Sequence, residues 1–114
     1  MLLDDELPSL TYLKMLCEQI PELEIIRSFN DAELFLREAT ELVFDLCILD
    51  IEMPDVTGLQ IAGALKGKPV IFTTGYKEYA AEAFDLDAVD YVRKPVTKER
   101  LEQAIQKAIK RIVV

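Results

Sequence analysis

The chain has 114 residues, 51% of them apolar, and a formal net charge of −8. That length suits one compact domain spanning 1–114, and the apolar residues fall in short segments, never in the run of about 18 that a membrane-spanning helix needs. The negative balance disfavours contact with nucleic acid or an anionic lipid surface, and the lack of histidine removes the common zinc patterns.

The first apolar segment, 1–3, is followed at once by Asp4, Asp5 and Glu6, so the start has neither the basic residues nor the long apolar stretch of a secretory signal. A cytoplasmic location is expected. Further strands are predicted over 23–29, 44–49, 70–73 and 88–92, several nearly continuous in apolar character, as parallel strands covered on both faces tend to be.

Helical patterns lie between them. Leu10, Leu13, Cys17 and Ile20 recur at three- and four-residue spacing over about 8–20, and Pro21 stops that helix. A second helix is expected to open at Asn30 as N-cap with Glu33 three residues on, as in a capping box. A third follows Gly58 and a fourth covers about 77–84. The fifth is the most regular, with Leu101, Ala104, Ile105, Ala108, Ile109 and Ile112 on one face. Cys17 and Cys47, each among apolar neighbours and without CxxC spacing, read as two reduced, buried thiols.

Strand and helix alternating five times predict an α/β fold, an open five-stranded parallel sheet with right-handed crossovers and helices on both faces. Ligands of such sheets bind beyond the carboxyl ends of the strands. There the sequence places Asp4 and Asp5 after the first strand, Asp50 at the end of the third, Thr73 and Thr74 at the end of the fourth, and Lys94-Pro95 after the fifth. An Asp-Asp pair alone could simply cap the next helix, and Lys-Pro alone could be a turn. Together, three carboxylates call for a cation, and Mg²⁺ fits best because it is held by one or two carboxylates along with water and phosphate oxygens. A carboxylate beside such a metal and an ammonium can accept a phosphoryl group.

Four separated motifs carry a resemblance to the receiver domain of two-component response regulators. They are Leu2-Leu3-Asp4-Asp5-Glu6, Leu49-Asp50-Ile51-Glu52-Met53-Pro54-Asp55 with Gly58, Phe72-Thr73-Thr74-Gly75, and Asp90-Tyr91-Val92-Arg93-Lys94-Pro95. The resemblance implies the flavodoxin-like strand order 2-1-3-4-5. It implies Asp50 as phosphoacceptor, and Mg²⁺ held by Asp4, Asp5, Asp50 and the backbone carbonyl of Glu52. It further implies Thr74, Gly75, Tyr91 and Lys94 as phosphoryl-binding and switch residues, with a cis bond before Pro95. The stretch from Phe72 to Tyr91 is similar to receivers that precede LytTR-type DNA-binding domains.

On this resemblance the partners are a sensor histidine kinase, a C-terminal effector controlling transcription, and a second copy docked through the face of the fourth helix, fifth strand and fifth helix. The domain is a signalling module rather than a dedicated enzyme. Three alternatives make different demands on these positions. A haloacid-dehalogenase-like phosphatase would need an Asp where Glu52 stands. A flavodoxin-like electron carrier would need a hydroxyl- and glycine-rich loop where Asp4 and Asp5 stand. An unphosphorylated pseudo-receiver would act only as an interaction module.

Overall fold

The computed structural model describes residues 1–54, 56–65, 67–75 and 86–113. The described elements run β1 (Leu2–Leu3), α1 (Leu7–Glu18), β2 (Ser28–Phe29), α2 (Ala32–Ala39), β3 (Cys47–Asp50), α3 (Gly58–Ala64), β4 (Val70–Thr74), β5 (Asp90–Arg93) and α4 (Lys98–Ile112). The helix expected over 77–84 lies outside the described residues, so the last helix is the fourth named here.

All five strands are parallel, in the order β2-β1-β3-β4-β5. Successive strand residues point to opposite faces, and the core divides accordingly. Leu2, Ile48, Ile71 and Val92 face α1 and α4, meeting Leu10, Leu13, Cys17, Leu101, Ala104, Ile105 and Ala108. Leu3, Cys47, Leu49 and Phe72 face the opposite side, meeting Phe35 of α2 and Ile61 of α3. Burial on both faces explains why the strands lack an apolar-polar alternation. The two thiols are free and buried, and burial pushes both up to about 11.

Several expected boundaries move, each for a local reason. The strand predicted over 23–29 is reduced to Ser28–Phe29, because β1 offers only Leu2 and Leu3 to pair with it. Leu23 and Ile25 still pack against the core, so their apolar character reports burial and not a ladder. The strand predicted over 44–49 begins at Cys47, although Phe44 remains in the core. The strand predicted over 88–92 is shifted to Asp90–Arg93.

The N-cap of α2 is Asp31 and not Asn30: its Oδ1 accepts from the Glu33 amide at 3.1 Å, so Glu33 is not the partner in a capping box. A carboxylate at this position is also favoured by the helix dipole. The capping box is found at α3 instead, where the Thr57 hydroxyl accepts from Gln60 N–H and the Gln60 side chain accepts from Thr57 N–H. On α4, Ile112 is 40% exposed, so the buried stripe covers Leu101 to Ala108 with Ile109 at its margin.

Candidate phosphoacceptor site

Each crossover returns the chain to the same edge of the sheet, and the polar residues that follow the strands converge there. Asp4 and Asp50 are each only 1% exposed, and Thr73 and Thr74 are also buried. One oxygen each from Asp4, Asp5 and Asp50 lies within 4.8 Å of the other two. Lys94 reaches into this cluster, with its Nζ 3.2 Å from Asp4 Oδ2 and 3.2 Å from Asp50 Oδ1.

Local backbone geometry holds these groups. Asp4 Oδ1 accepts from the Glu6 amide at 2.9 Å, which fixes the first acidic side chain as the chain turns into α1. The loop after Asp50 is closed by Gly58, whose N–H donates to Ile51 O at 3.1 Å. A side chain at 58 would collide with the Asp50 carbonyl, so only glycine lets α3 start this close to Asp50. Lys94 N–H donates to Thr74 O at 2.7 Å, and the Lys94–Pro95 peptide bond is cis.

Thr74 and Tyr91 share a face of the sheet. Phe72 pairs with Tyr91 in register, and Thr74 follows Phe72 by two residues on the same side. Tyr91 is half-buried, packed against the core that contains Phe72. Gly75, at the exposed start of the next loop, donates its N–H to Glu52 Oε1 at 2.7 Å.

The electrostatics are unusual for a carboxylate. Burial, then the charge of Asp4, raise the Asp50 pKa to about 7, with Lys94 pulling back and Glu52 adding to the rise. Burial alone would lower the Lys94 ammonium; the carboxylates of Asp50 and Asp4 outweigh it, and its pKa is raised. Asp50 Oδ1 meets only the Lys94 ammonium, Asp50 Oδ2 is buried without a hydrogen bond, and so is Asp5 Oδ1. Buried polar atoms are normally satisfied. Three convergent carboxylates, two of them with an unsatisfied buried oxygen, are a donor set that fits a hard divalent cation.

The residues singled out from sequence at four strand ends, Asp4, Asp5, Asp50, Thr74 and Lys94, are thus brought to one edge. The sequence does not mark Tyr12. Its hydroxyl donates to Val96 O at 2.7 Å, tying α1 to the turn after Lys94 across a cavity of about 210 Å³ that Asp4, Thr73 and Lys94 also line. No helical periodicity reveals such a contact, because Tyr12 lies off the buried stripe of α1.

A family model described as the response regulator receiver domain matches residues 1–106. The chain belongs to that family. The receiver is 37% identical over 111 residues to the sensory transduction protein LytT of Bacillus cereus, a match covering 94% of this chain and 45% of LytT. It therefore spans about half the length of such curated relatives. Among solved structures, it superposes on the response regulatory domain of mrkE from Klebsiella pneumoniae with a TM-score of 0.86 at 30% identity, covering 97% of each chain. It superposes on a receiver domain protein from Clostridium thermocellum with a TM-score of 0.84 at 32% identity, covering 96% of this chain and 92% of that one. The receiver family comprises signalling domains, and the strand order seen here is that of its flavodoxin-like fold.

Proposed function

We propose that Asp50 accepts a phosphoryl group from a phosphohistidine of a sensor kinase, and that the whole chain, 1–114, works as one phosphorylation-switched module. The observation that carries this reading is Asp50 itself, a nearly fully buried carboxylate with Oδ2 free of hydrogen bonds and Oδ1 paired only with the Lys94 ammonium, set beside two further aspartates. In the transfer, the phosphorus–nitrogen bond of the donor breaks as a phosphorus–oxygen bond to Asp50 forms, and the imidazole leaves with the bonding pair. The chain has no histidine of its own, so the donor belongs to another protein or another part of a longer one.

Asp4, Asp5, Asp50 and the backbone carbonyl of Glu52 would hold Mg²⁺. Bound there, the ion would offset the charge of the carboxylates and of the incoming phosphoryl group. Lys94, 3.2 Å from Asp50 Oδ1, would pair with a phosphoryl oxygen. The Thr74 hydroxyl and Gly75 amide follow the end of β4 and would donate to others. Drawing Thr74 toward the acceptor changes the space beside Tyr91 on the same face, which couples the modification to the β5 surface.

The output is a shift between two arrangements of the face formed by the expected 77–84 helix, β5 and α4, used for homodimerisation and for control of a C-terminal effector, of LytTR type and acting on transcription, in the cytoplasm. Among the described residues no helix is long and apolar enough to cross a membrane, and the charge of −8 leaves nucleic-acid contact to the effector.

The test is acid-labile phosphate incorporation from a small-molecule phosphodonor with Mg²⁺. Wild type is expected to label and Asp50→Asn to lose labelling entirely; full labelling of the variant sinks the assignment.

A further inference from the structure

The backbone ladder between β3 and β4 continues just past the acceptor, where Ile51 N–H donates to Thr73 O at 3.0 Å. One residue beyond Ile51, a side chain makes the bridge instead. Glu52 Oε1 accepts from Gly75 N–H at 2.7 Å, so a carboxylate ties the acceptor loop to the loop that follows Thr74. The other oxygen, Oε2, is buried and has no hydrogen-bond partner. Half of this carboxylate is therefore well bound and half is badly placed, and its charge is felt at Asp50.

We propose that Glu52 is a positioning residue that occupies the Gly75 amide in the unmodified receiver and competes for it with a phosphoryl group on Asp50. The inference rests on the phosphoacceptor reading and adds a threshold to it. A phosphoryl group brings about −1.5 to −2 charges and three strong acceptor oxygens. The amide next to Thr74 is a donor within the same strand-end loop, and an anion already holds it. Arrival of the second anion two residues from Glu52 repels its carboxylate, and the poorly satisfied Oε2 offers little resistance to leaving. Glu52 thereby holds the β4 loop in its unmodified position and opposes the inward arrangement until Asp50 is charged.

The competition is read in wild type, Glu52→Ala and Glu52→Gln, all at saturating Mg²⁺, with beryllofluoride as the phosphoryl mimic. In the unliganded proteins the Gly75 amide proton is expected far downfield in wild type, shifted upfield in Glu52→Ala, and intermediate in Glu52→Gln, whose amide oxygen can still accept. Removing one competing charge-assisted hydrogen bond should tighten beryllofluoride binding roughly 5- to 20-fold in Glu52→Ala, and less in Glu52→Gln. A wild type that binds beryllofluoride alongside a Glu52→Ala variant that binds it no more tightly overturns the competition while leaving the phosphoacceptor reading intact. An unmoved Gly75 resonance overturns it as well. If no protein takes up beryllofluoride, the reading beneath it fails too.

Discussion

Burial, with the charge of Asp4, raises the Asp50 carboxyl to about 7, and the Lys94 ammonium opposes that rise. The same ammonium is shared with Asp4, so its loss would leave two nearly fully buried carboxylates without their counter-charge. Breaking such a pair from one side is costly because the remaining charges stay desolvated. Lys94→Ala is therefore expected to fold and to bind Mg²⁺, but to lose roughly 1–3 kcal/mol of stability in chelator. The deficit should shrink when Mg²⁺ is added, and the phosphorylation-induced change followed by NMR should be weakened. Urea unfolding with and without Mg²⁺ checks the first part, and an equal deficit in both conditions contradicts it. Asp4, Asp5, Asp50, Thr74 and Lys94 could be located from sequence because each follows an apolar strand, and a parallel sheet sends all strand ends to one edge. The Glu52–Gly75 bond could not be, since it depends on the rotamer of one side chain across two loops. Nor could Tyr12, whose hydroxyl meets a carbonyl 84 residues away.

Between elements, a bidentate ion pair with a buried carboxylate fastens β5 to α4. Arg100 donates from Nη1 and Nη2 to the two oxygens of Asp90, each at 2.7 Å, Lys107 adds a bond of 3.1 Å, and the Tyr91 amide donates at 2.8 Å. Burial acts to raise Asp90, but these donors, led by Arg100, outweigh it and hold the carboxyl at about 2. Because the folded-state value lies below the ordinary 3.8, the stabilisation is fully present above about pH 4 and is lost as pH falls through about 2. Asp90→Asn should accordingly cost about 2 kcal/mol between pH 5 and 7, with the gap to wild type closing toward pH 2. Denaturant unfolding across that range measures it, and a gap independent of pH rules out the assigned cause. At this scale the sequence yields the alternation of elements and the buried stripe of α4 well, because both follow from periodic burial. Strand ends and caps are less accessible. The length of β2 is decided by how far β1 extends, and the choice between Asn30 and Asp31 by which oxygen reaches the Glu33 amide.

For the molecule as a whole, 21 acidic residues against 13 basic ones leave an excess of negative charge, and the edge that holds Asp4, Asp5 and Asp50 concentrates part of it, with Asp4 and Asp50 buried. Folding without a cation must bring Asp4, Asp5 and Asp50 together against their mutual repulsion, whereas the unfolded chain disperses them. A divalent ion that binds only the folded arrangement stabilises the entire domain by mass action, by about 2.7 kcal/mol when its concentration is 100 times its dissociation constant. For a chain of this size each kcal/mol raises the melting temperature by roughly 4 °C, so about 10 °C is expected in excess Mg²⁺. The gain should vanish on chelation and be largely absent in Asp5→Asn, which removes one carboxylate of the cluster without touching the core. Metal-free Asp5→Asn is itself expected to melt no lower than metal-free wild type, because it relieves repulsion in the absence of the ion. Differential scanning calorimetry of both proteins, with Mg²⁺ and with chelator, separates these outcomes. An equal shift in wild type and Asp5→Asn would place the ion somewhere other than the edge where β1, β3 and β5 deliver their charged residues.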